Sequence, residues 1–261
     1  MPLIQSRDGV SIHCELHGNG PLNLIFLHGW GGDSATWSGV IDHLDKERCR
    51  AISIDLRGHG KSGVPDTAYS IRDFSEDVLA VADHFGAKTF VSVGFSSGGK
   101  LACYLAAKYP DRVAGLVLVA PAGPGLAPID REYGLQACRE AGDWRKNELI
   151  FRNWFAPPPN DEMVKSYCQA IARTPLRVLV ATAELFLWTS LASDIGKLKQ
   201  PALLAIGAQD PVYGMAYQEK EMLPFLDSAM TATATMRSGH FIPLERPAEL
   251  AHRIDGAKFC L

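Results

Sequence analysis

The sequence predicts an α/β protein built on a mostly parallel sheet, because short apolar segments alternate along the chain with segments of helical periodicity. Apolar residues are nearly continuous at 22–27, 51–54, 90–93 and 116–120. Such runs are typical of parallel strands that are buried on both faces. Between them, residues 71–85 place their apolar side chains on one helical stripe, which ends at Gly86, a typical helix C-cap.

Four further segments extend this pattern towards both ends of the chain. Residues 10–16 alternate between apolar and polar, as a half-exposed strand does. Residues 100–109 are rich in alanine and predict a helix that stops before Pro110. Strand-like runs return late in the chain, at 202–207 and 230–236. Strands that alternate with helices in this way indicate βαβ units.

A long interruption separates the two groups of predicted strands. Residues 122–200 contain no clear strand pattern, and a helical stretch lies within them at 163–172. We therefore predict a core domain formed by residues 1–121 and 201–261. The intervening residues 122–200 are predicted to form a helical lid inserted over one end of the sheet.

Composition and charge exclude several classes of protein. The chain has 261 residues, of which 47% are hydrophobic and 21% charged, and its net charge is −3. Neither sign of charge forms a block, so we expect no nucleic-acid partner and no membrane partner. The opening MPLIQSRDGV lacks the apolar core of a signal peptide, and no stretch of about 18 apolar residues could span a bilayer. We expect a cytoplasmic protein.

The cysteines and histidines predict neither disulfides nor a metal site. The six cysteines are scattered without a C-x-x-C pair, which favours free thiols in a reducing compartment. No two histidines share a helical turn with a carboxylate, and no G-x-G-x-x-G opens a helix. We therefore expect no metal and no cofactor.

Two adjacent serines follow a predicted strand in the stretch GFSSGG. Centred on Ser96, the stretch fits the frame G-x-S-x-G through Gly94 and Gly98. Centred on Ser97, the frame fails, because Phe95 occupies its first glycine position. In this frame a sharp strand-to-helix turn strains the serine backbone and exposes its Oγ. Ser96 is the candidate nucleophile, and a glycine-rich turn with incidental serines is the alternative.

A serine nucleophile needs a histidine base and an acid that orients the histidine. His240, in RSGHF, follows the last predicted strand, whereas His252 lies on a predicted C-terminal helix. Asp210, in GAQDP, follows the strand-like run ALLAIG, and the alternative acid position after residues 116–120 holds no carboxylate. We predict that Asp210 orients His240. The alternative role for Asp210 is that of a turn residue before a proline.

The loop LHGWGG, which follows the strand predicted at 22–27, is expected to supply half of an oxyanion hole. Its glycines allow a backbone N–H to approach a substrate, and the position after His28-Gly29 makes Trp30 the donor. The second donor is the N–H of Ser97, at the positive end of the following helix. The Ser97 hydroxyl is expected to cap that helix or to touch substrate. His28 is expected to be structural.

A largely apolar pocket is expected around these groups. The residues predicted to bind substrate are Gly29, Trp30, Phe95, Trp154, Trp188 and Phe241. Two of them, Trp154 and Trp188, belong to the predicted lid. Packing within the lid is the alternative role for its tryptophans.

Five motifs together resemble the α/β-hydrolase superfamily: HGWGG at 28–32, DLRGHGKS at 55–62, GFSSGG at 94–99, GAQDP at 207–211 and SGHF at 238–241. The resemblance covers nearly the whole chain except the predicted lid. It implies an eight-stranded, mostly parallel sheet with helices on both faces. It also implies a catalytic triad of Ser96, Asp210 and His240, with an oxyanion hole formed by the amides of Trp30 and Ser97. Haloalkane dehalogenases and epoxide hydrolases carry aspartate where this chain has Ser96, which argues against both.

The resemblance further implies a serine carboxylesterase-like enzyme that needs no cofactor. We expect it to cleave a small, largely apolar ester or lactone through an acyl-enzyme, as a monomer or a homodimer. Three alternatives stay open: carbon–carbon bond hydrolysis of a diketone or dienol, perhydrolysis of the haloperoxidase kind, and a ligand receptor derived from a hydrolase. HGWG also resembles the loop of carboxylesterases that cleave a pimeloyl ester. Leucine is common there where this chain has Ser97, and that substrate is not assigned.

Overall fold

One sheet forms the centre of the structure, a computed structural model that describes residues 3–66 and 69–259. Its strands are β1 (Leu3–Gln5), β2 (Ser11–His17), β3 (Leu22–Leu27), β4 (Cys49–Ile54), β5 (Phe90–Phe95), β6 (Val113–Val119), β7 (Ala202–Gly207) and β8 (Thr231–Met236). Their order across the sheet is β1-β2-β4-β3-β5-β6-β7-β8. The pairs β1–β2 and β2–β4 are antiparallel, and the other neighbours are parallel. The predicted eight-stranded, mostly parallel sheet is confirmed.

Helices cover both faces of the sheet, as predicted. They are α1 (Ser38–His43), α2 (Ile71–His84), α3 (Ser97–Lys108), α4 (Arg131–Glu140), α5 (Trp144–Phe151), α6 (Asp161–Arg173), α7 (Leu176–Leu187), α8 (Ala192–Ile195), α9 (Met215–Glu221), α10 (Ile242–Glu245) and α11 (Pro247–Gly256). Buried side chains of α1 and α11 belong to one apolar cluster, and those of α2 and α3 to another. Each cluster packs on its own face of the sheet.

The central strands are buried on both sides, which explains their nearly continuous apolar sequences. In β3, Leu24 and Phe26 belong to the cluster with α1, whereas Ile25 and Leu27 belong to the cluster with α3. Successive side chains of a strand point to opposite faces, so both faces of such a strand require mostly apolar residues. The register pairs Leu27 of β3 with Gly94 of β5. The loops that follow these two strands therefore lie side by side.

Helix boundaries differ from the sequence prediction where packing decides them. The stripe predicted at 71–85 corresponds to α2, which begins with a capping box between Ser70 and Asp73. The helix predicted from residue 100 begins three residues earlier, as α3. Gly98 and Gly99 disfavour a helix intrinsically, but a Cβ at Gly98 would overlap the carbonyl oxygen of Leu27. Close packing selects glycine there at the expense of helix propensity.

The chain between β6 and β7 is helical. It contains α4 to α8 and no strand, and the helix predicted at 163–172 lies within α6. Buried apolar residues of α5, α6 and α7 join the same cluster as α1. The division into a core of residues 1–121 and 201–261 and a lid of residues 122–200 stays a prediction.

Within the described ranges, no helix combines the length and the apolar character needed to cross a bilayer. The cytoplasmic location stays a prediction. The described cysteines are buried free thiols, namely Cys14, Cys49, Cys103, Cys138 and Cys168. The sixth, Cys260, lies outside the described residues.

A buried lysine links α3 to both ends of this helical region. Lys100 is fully buried, and its Nζ donates to the carbonyl oxygens of Gly125, at 2.7 Å, and Thr189, at 3.1 Å. Gly125 precedes α4 and Thr189 follows α7. Burial disfavours the ammonium and lowers the pKa of Lys100 from 10.5 to about 8.

We expect Lys100 to make stability rise with pH in the alkaline range. Between pH 8 and 10.5 the unfolded chain holds a proton at Lys100 that the folded chain has released, so raising the pH favours the folded state. The resulting increase in the free energy of unfolding is at most about 3 kcal/mol. Urea unfolding of wild type and Lys100→Gln from pH 7.5 to 10.5 measures it. The stability difference between the two should grow with pH. A stability difference that stays constant over this pH range contradicts the prediction.

Candidate active site

Ser96 lies at a sharp turn between β5 and α3. Its backbone has φ +52° and ψ −119°, a region that side-chain-bearing residues rarely adopt. The turn is held by hydrogen bonds from Ser96 N–H to Val119 O, at 3.0 Å, and from Ala122 N–H to Ser96 O, at 2.9 Å. A Cβ at Gly94 would overlap the carbonyl oxygen of Gly98. Both glycines of the G-x-S-x-G frame are therefore required by close backbone contacts.

Asp210 and His240 follow the adjacent strands β7 and β8 and form a buried pair. His240 Nδ1 lies 2.8 Å from Asp210 Oδ2, and His240 is only 2% exposed. The other carboxylate oxygen, Oδ1, accepts the backbone N–H groups of Val212 and Tyr213, each at 2.9 Å. Burial alone would raise the pKa of Asp210. The charge and hydrogen bond of His240, together with the two N–H donors, outweigh burial and hold that pKa below its ordinary value.

The histidine loop is attached to the helical region between β6 and β7. His240 N–H donates to Trp154 O at 2.6 Å. Glu245 Oε2 accepts the N–H groups of Gly239, at 3.1 Å, and Ala156, at 2.9 Å. A Cβ at Gly239 would overlap the backbone of residues 154–156. The position of the imidazole thus depends on both β8 and this segment.

Ser96 and His240 line one cavity, with a volume of about 50 Å³. The helical region contributes much of the wall, including Ile129, Ile150, Phe151, Trp154, Tyr167 and Leu187. The described residues that line it include His240 but no aspartate, glutamate, lysine or arginine. The wall of the cavity favours uncharged, apolar ligands.

The loop after β3 lies against the serine turn. A Cβ at Gly29 would lie 3.2 Å from Cβ of Ser96, so only glycine allows this approach without displacement. Trp30 lines the cavity, and its indole N–H donates to Leu179 O at 3.0 Å. Within the described part of the chain, the backbone N–H groups of Trp30 and Ser97 donate to no protein acceptor. Both amides are thus available to a ligand.

His28 has a structural role in this loop. Its Nε2 accepts the N–H of Leu56 at 3.0 Å, which leaves Nδ1–H to donate to Gly29 O at 2.8 Å. Burial lowers the pKa of His28, which keeps the ring neutral. Burial also lowers the pKa of the neighbouring His59 to about 3. Neither ring lines the cavity.

The structure brings most, but not all, of the predicted site residues to the cavity. Ser96, Trp30, Trp154, His240 and Phe241 line it, and Asp210 lies behind His240. Three residues predicted to bind substrate lie outside the lining set. Phe95 is fully buried beneath the site, 4.9 Å from His240 between ring centroids, and Gly29 has no side chain to reach a ligand. The indole of Trp188 donates to Ile129 O and packs behind Gly134, which occupies the wall in its place.

Sequence reasoning missed several wall residues. Tyr213 lines the cavity, with its ring centroid 5.3 Å from that of His240, and its place three residues after Asp210 is a signal that could have identified it. Phe151 and Tyr167 come from α5 and α6, far from any motif. Their rings pack around Phe241, with centroids 6.3 and 4.5 Å from it. No local pattern distinguishes them from ordinary core aromatics.

The chain is similar to known proteins over most of its length. Residues 23–156 match the family described as alpha/beta hydrolase fold. Pimeloyl-[acyl-carrier protein] methyl ester esterase of Nitrosomonas europaea is 31% identical over 215 residues, which are 77% of this chain and 82% of that protein. The 3-oxoadipate enol-lactonase 2 of Acinetobacter baylyi is 24% identical over 243 residues, or 89% of this chain and 86% of that protein.

A solved structure supports the same assignment. An esterase from Exiguobacterium antarcticum superimposes with a TM-score of 0.84 over 98% of both chains, at 20% sequence identity. At that identity the similarity shows the fold. Together with the family match and the relatives in sequence, it leads to one conclusion: the chain belongs to the α/β-hydrolase superfamily, as an esterase-like enzyme.

Proposed function

We propose that this protein is a serine hydrolase that cleaves carboxylic esters, or lactones, of small apolar substrates through an acyl-enzyme. One observation carries the proposal: Ser96, on its strained turn, and His240, paired with Asp210, line the same apolar cavity. This combination supplies a nucleophile, an oriented base and a binding space in one place.

The proposed reaction follows from the hydrogen bonds of the pair. His240 Nδ1–H donates to Asp210, so Nε2 is free to accept the proton of Ser96 as Oγ attacks the ester carbonyl. The N–H groups of Trp30 and Ser97 stabilise the resulting oxyanion, the latter at the N-terminus of α3. His240 then returns the proton to the leaving alkoxide. In the second half, water gives its proton to His240 and attacks the acyl carbonyl, and Ser96 Oγ leaves and regains that proton.

We also propose that residues 122–200 act as a lid that forms the substrate pocket. Phe151, Trp154 and Leu187, all from this segment, line the cavity beside Ser96. Their apolar surfaces suit an alkyl or aryl chain. The methyl ester esterase activity in the name of the Nitrosomonas europaea relative and the lactonase activity in that of the Acinetobacter baylyi relative support esters and lactones as the substrate classes.

An acyl-length series tests the proposal. Wild type should hydrolyse p-nitrophenyl esters from acetate to decanoate with multiple turnovers and an optimum above acetate. Because no lysine or arginine is found among the described residues that line the cavity, p-nitrophenyl hexanoate should exceed mono-p-nitrophenyl adipate in kcat/KM by at least about tenfold, the equivalent of about 1.4 kcal/mol. A preference for adipate contradicts the apolar-substrate proposal.

Labelling with a fluorophosphonate separates the remaining outcomes. Labelling at Ser96 without ester turnover would favour carbon–carbon bond hydrolysis, perhydrolysis or a receptor role over ester hydrolysis. Assays with a β-diketone and with hydrogen peroxide plus acetate then distinguish the two enzymatic alternatives. Absence of labelling at Ser96 in folded protein contradicts the serine mechanism as a whole.

A further inference from the structure

The residue that carries the proposed oxyanion donor is held by two helices outside the sheet. The backbone carbonyl of Trp30 accepts the hydroxyl of Tyr167, on α6, at 2.8 Å. The indole of Trp30 donates to Leu179 O, on α7, at 3.0 Å. Next to it, Gly31 has φ +71°, and a Cβ there would lie 2.8 Å from Ile171 of α6. The loop is thus packed tightly against the helical region.

The carbonyl on the other side of the Trp30 N–H is held by the core. Gly29 O accepts His28 Nδ1–H at 2.8 Å and Gly32 N–H at 3.1 Å. This carbonyl belongs to the same planar peptide as the N–H of Trp30. This N–H therefore turns with the Gly29–Trp30 peptide, and it shifts whenever movement of the Trp30–Gly31 peptide changes the torsion angles at the Trp30 Cα, which the two peptides share. His28 holds the first of them, and Tyr167 holds the second.

The surroundings of Tyr167 make its hydroxyl an effective constraint. The side chain is 6% exposed, and its ring packs against those of Phe241 and Phe151 at centroid distances of 4.5 and 5.7 Å. Burial raises the pKa of Tyr167, so the phenol stays protonated and donates. The Trp30 carbonyl is only partly buried, and without this donor it must find another partner, which favours movement of the loop.

We propose that Tyr167 is a positioning residue, whose hydroxyl holds the Trp30–Gly31 peptide and thereby keeps the torsion angles of Trp30 at which its N–H is directed at the developing oxyanion. The inference rests on the proposed function. It assigns part of the catalytic geometry to α6, a helix without any sequence motif of the site. Donors act on the oxyanion only when they already point at its position in the transition state. Tyr167 therefore affects the rate of the chemical step and not the binding of the ester.

Tyr167→Phe tests this role, because it removes one oxygen and keeps the aromatic packing. Deleting an oxyanion donor outright costs about 10²–10³-fold in kcat, and misaligning one should cost less. We expect kcat to fall about tenfold, with KM within about twofold of wild type, since ground-state binding is untouched. Tyr104→Phe is the matched control. Tyr104, on α3, is a partly buried tyrosine that does not line the cavity, and the loss of its hydroxyl should change neither constant.

A transition-state mimic provides the decisive readout. An alkyl trifluoromethyl ketone of matching chain length adds to Ser96 Oγ and places an oxyanion in the hole. Its inhibition constant should rise in Tyr167→Phe by the same factor by which kcat/KM falls. Unchanged kcat with a lowered Tm would show a structural role only and overturn the inference. A rise in KM with unchanged kcat would show a pocket-shaping role and overturn it as well.

The failure of this inference differs from the failure of the proposed function. If wild type turns over esters and Tyr167→Phe does so equally well, only the role of Tyr167 is wrong. If folded wild type neither turns over esters nor is labelled at Ser96, the proposed function and the inference fall together.

Discussion

Asp210→Asn is expected to lower kcat/KM by about 10⁴-fold while the protein stays folded. The reason lies in the turn around the carboxylate. Oδ1 accepts two backbone N–H groups, from Val212 and Tyr213, so the amide oxygen of an asparagine must occupy that position. Its NH₂ group then faces His240 Nδ1, where Oδ2 accepted the Nδ1–H hydrogen bond before. The imidazole must adopt the other tautomer, with the proton on Nε2, and it can no longer accept the proton of Ser96.

Steady-state ester hydrolysis and thermal unfolding of Asp210→Asn check this result together. Asp227→Asn is a matched control. Asp227 also accepts a backbone N–H in a turn, that of Ala229 at 3.0 Å, but it precedes β8 at the opposite end of that strand. The activity of Asp227→Asn should equal that of wild type. A loss of less than about tenfold in Asp210→Asn would mean that the carboxylate does not set the tautomer of His240.

Ser96→Ala is expected to lower kcat by about 10⁴–10⁶-fold, because no acyl-enzyme can form without Oγ. Ser97→Ala should retain activity close to that of wild type. The proposed contribution of Ser97 is its backbone N–H, which alanine keeps. Both serines are buried and they are adjacent in the chain, so the two alanine variants form a closely matched pair.

The two variants are compared by ester turnover and by fluorophosphonate labelling followed by mass spectrometry. The label should be found on residue 96 in Ser97→Ala and be absent from Ser96→Ala. An equal loss of activity in both variants would point to a damaged turn and not to a missing nucleophile. Circular dichroism and Tm of the two proteins distinguish these cases.

The parts of the fold that could be predicted from the sequence are those in which burial or close packing requires a particular local pattern of residues. The parallel strands could be predicted because burial on both faces requires mostly apolar residues, as in Leu24 to Leu27 of β3. The strand β1 was missed, because three residues of alternating burial leave too short a signal. The start of α3 was missed as well, since its packing demands the residues that helix propensity disfavours.

The wall of the cavity could not be predicted in the same way. Phe151 and Tyr167 face Phe241, yet a helix that packs over a cavity needs the same apolar stripe as one that packs on a sheet. Of the two lid tryptophans predicted to bind substrate, Trp154 lines the cavity and Trp188 does not. The difference depends on Gly134, which leaves room for the indole behind the wall and comes from a different helix. The periodicity of a sequence carries no information about which residues of two different helices will pack against each other.

The hydrogen bond from His240 N–H to Trp154 O has a consequence for how this enzyme can be redesigned. In a hydrolase whose lid only covers the site, replacing the lid with that of a relative would be enough to transfer the relative's substrate specificity. Here the backbone of Trp154 also holds His240, the proposed base, so a foreign segment in place of residues 122–200 must restore that carbonyl as well as the pocket. Single substitutions at wall positions such as Ile150 or Leu187 leave this backbone bond in place. They are the more direct route to a new substrate range.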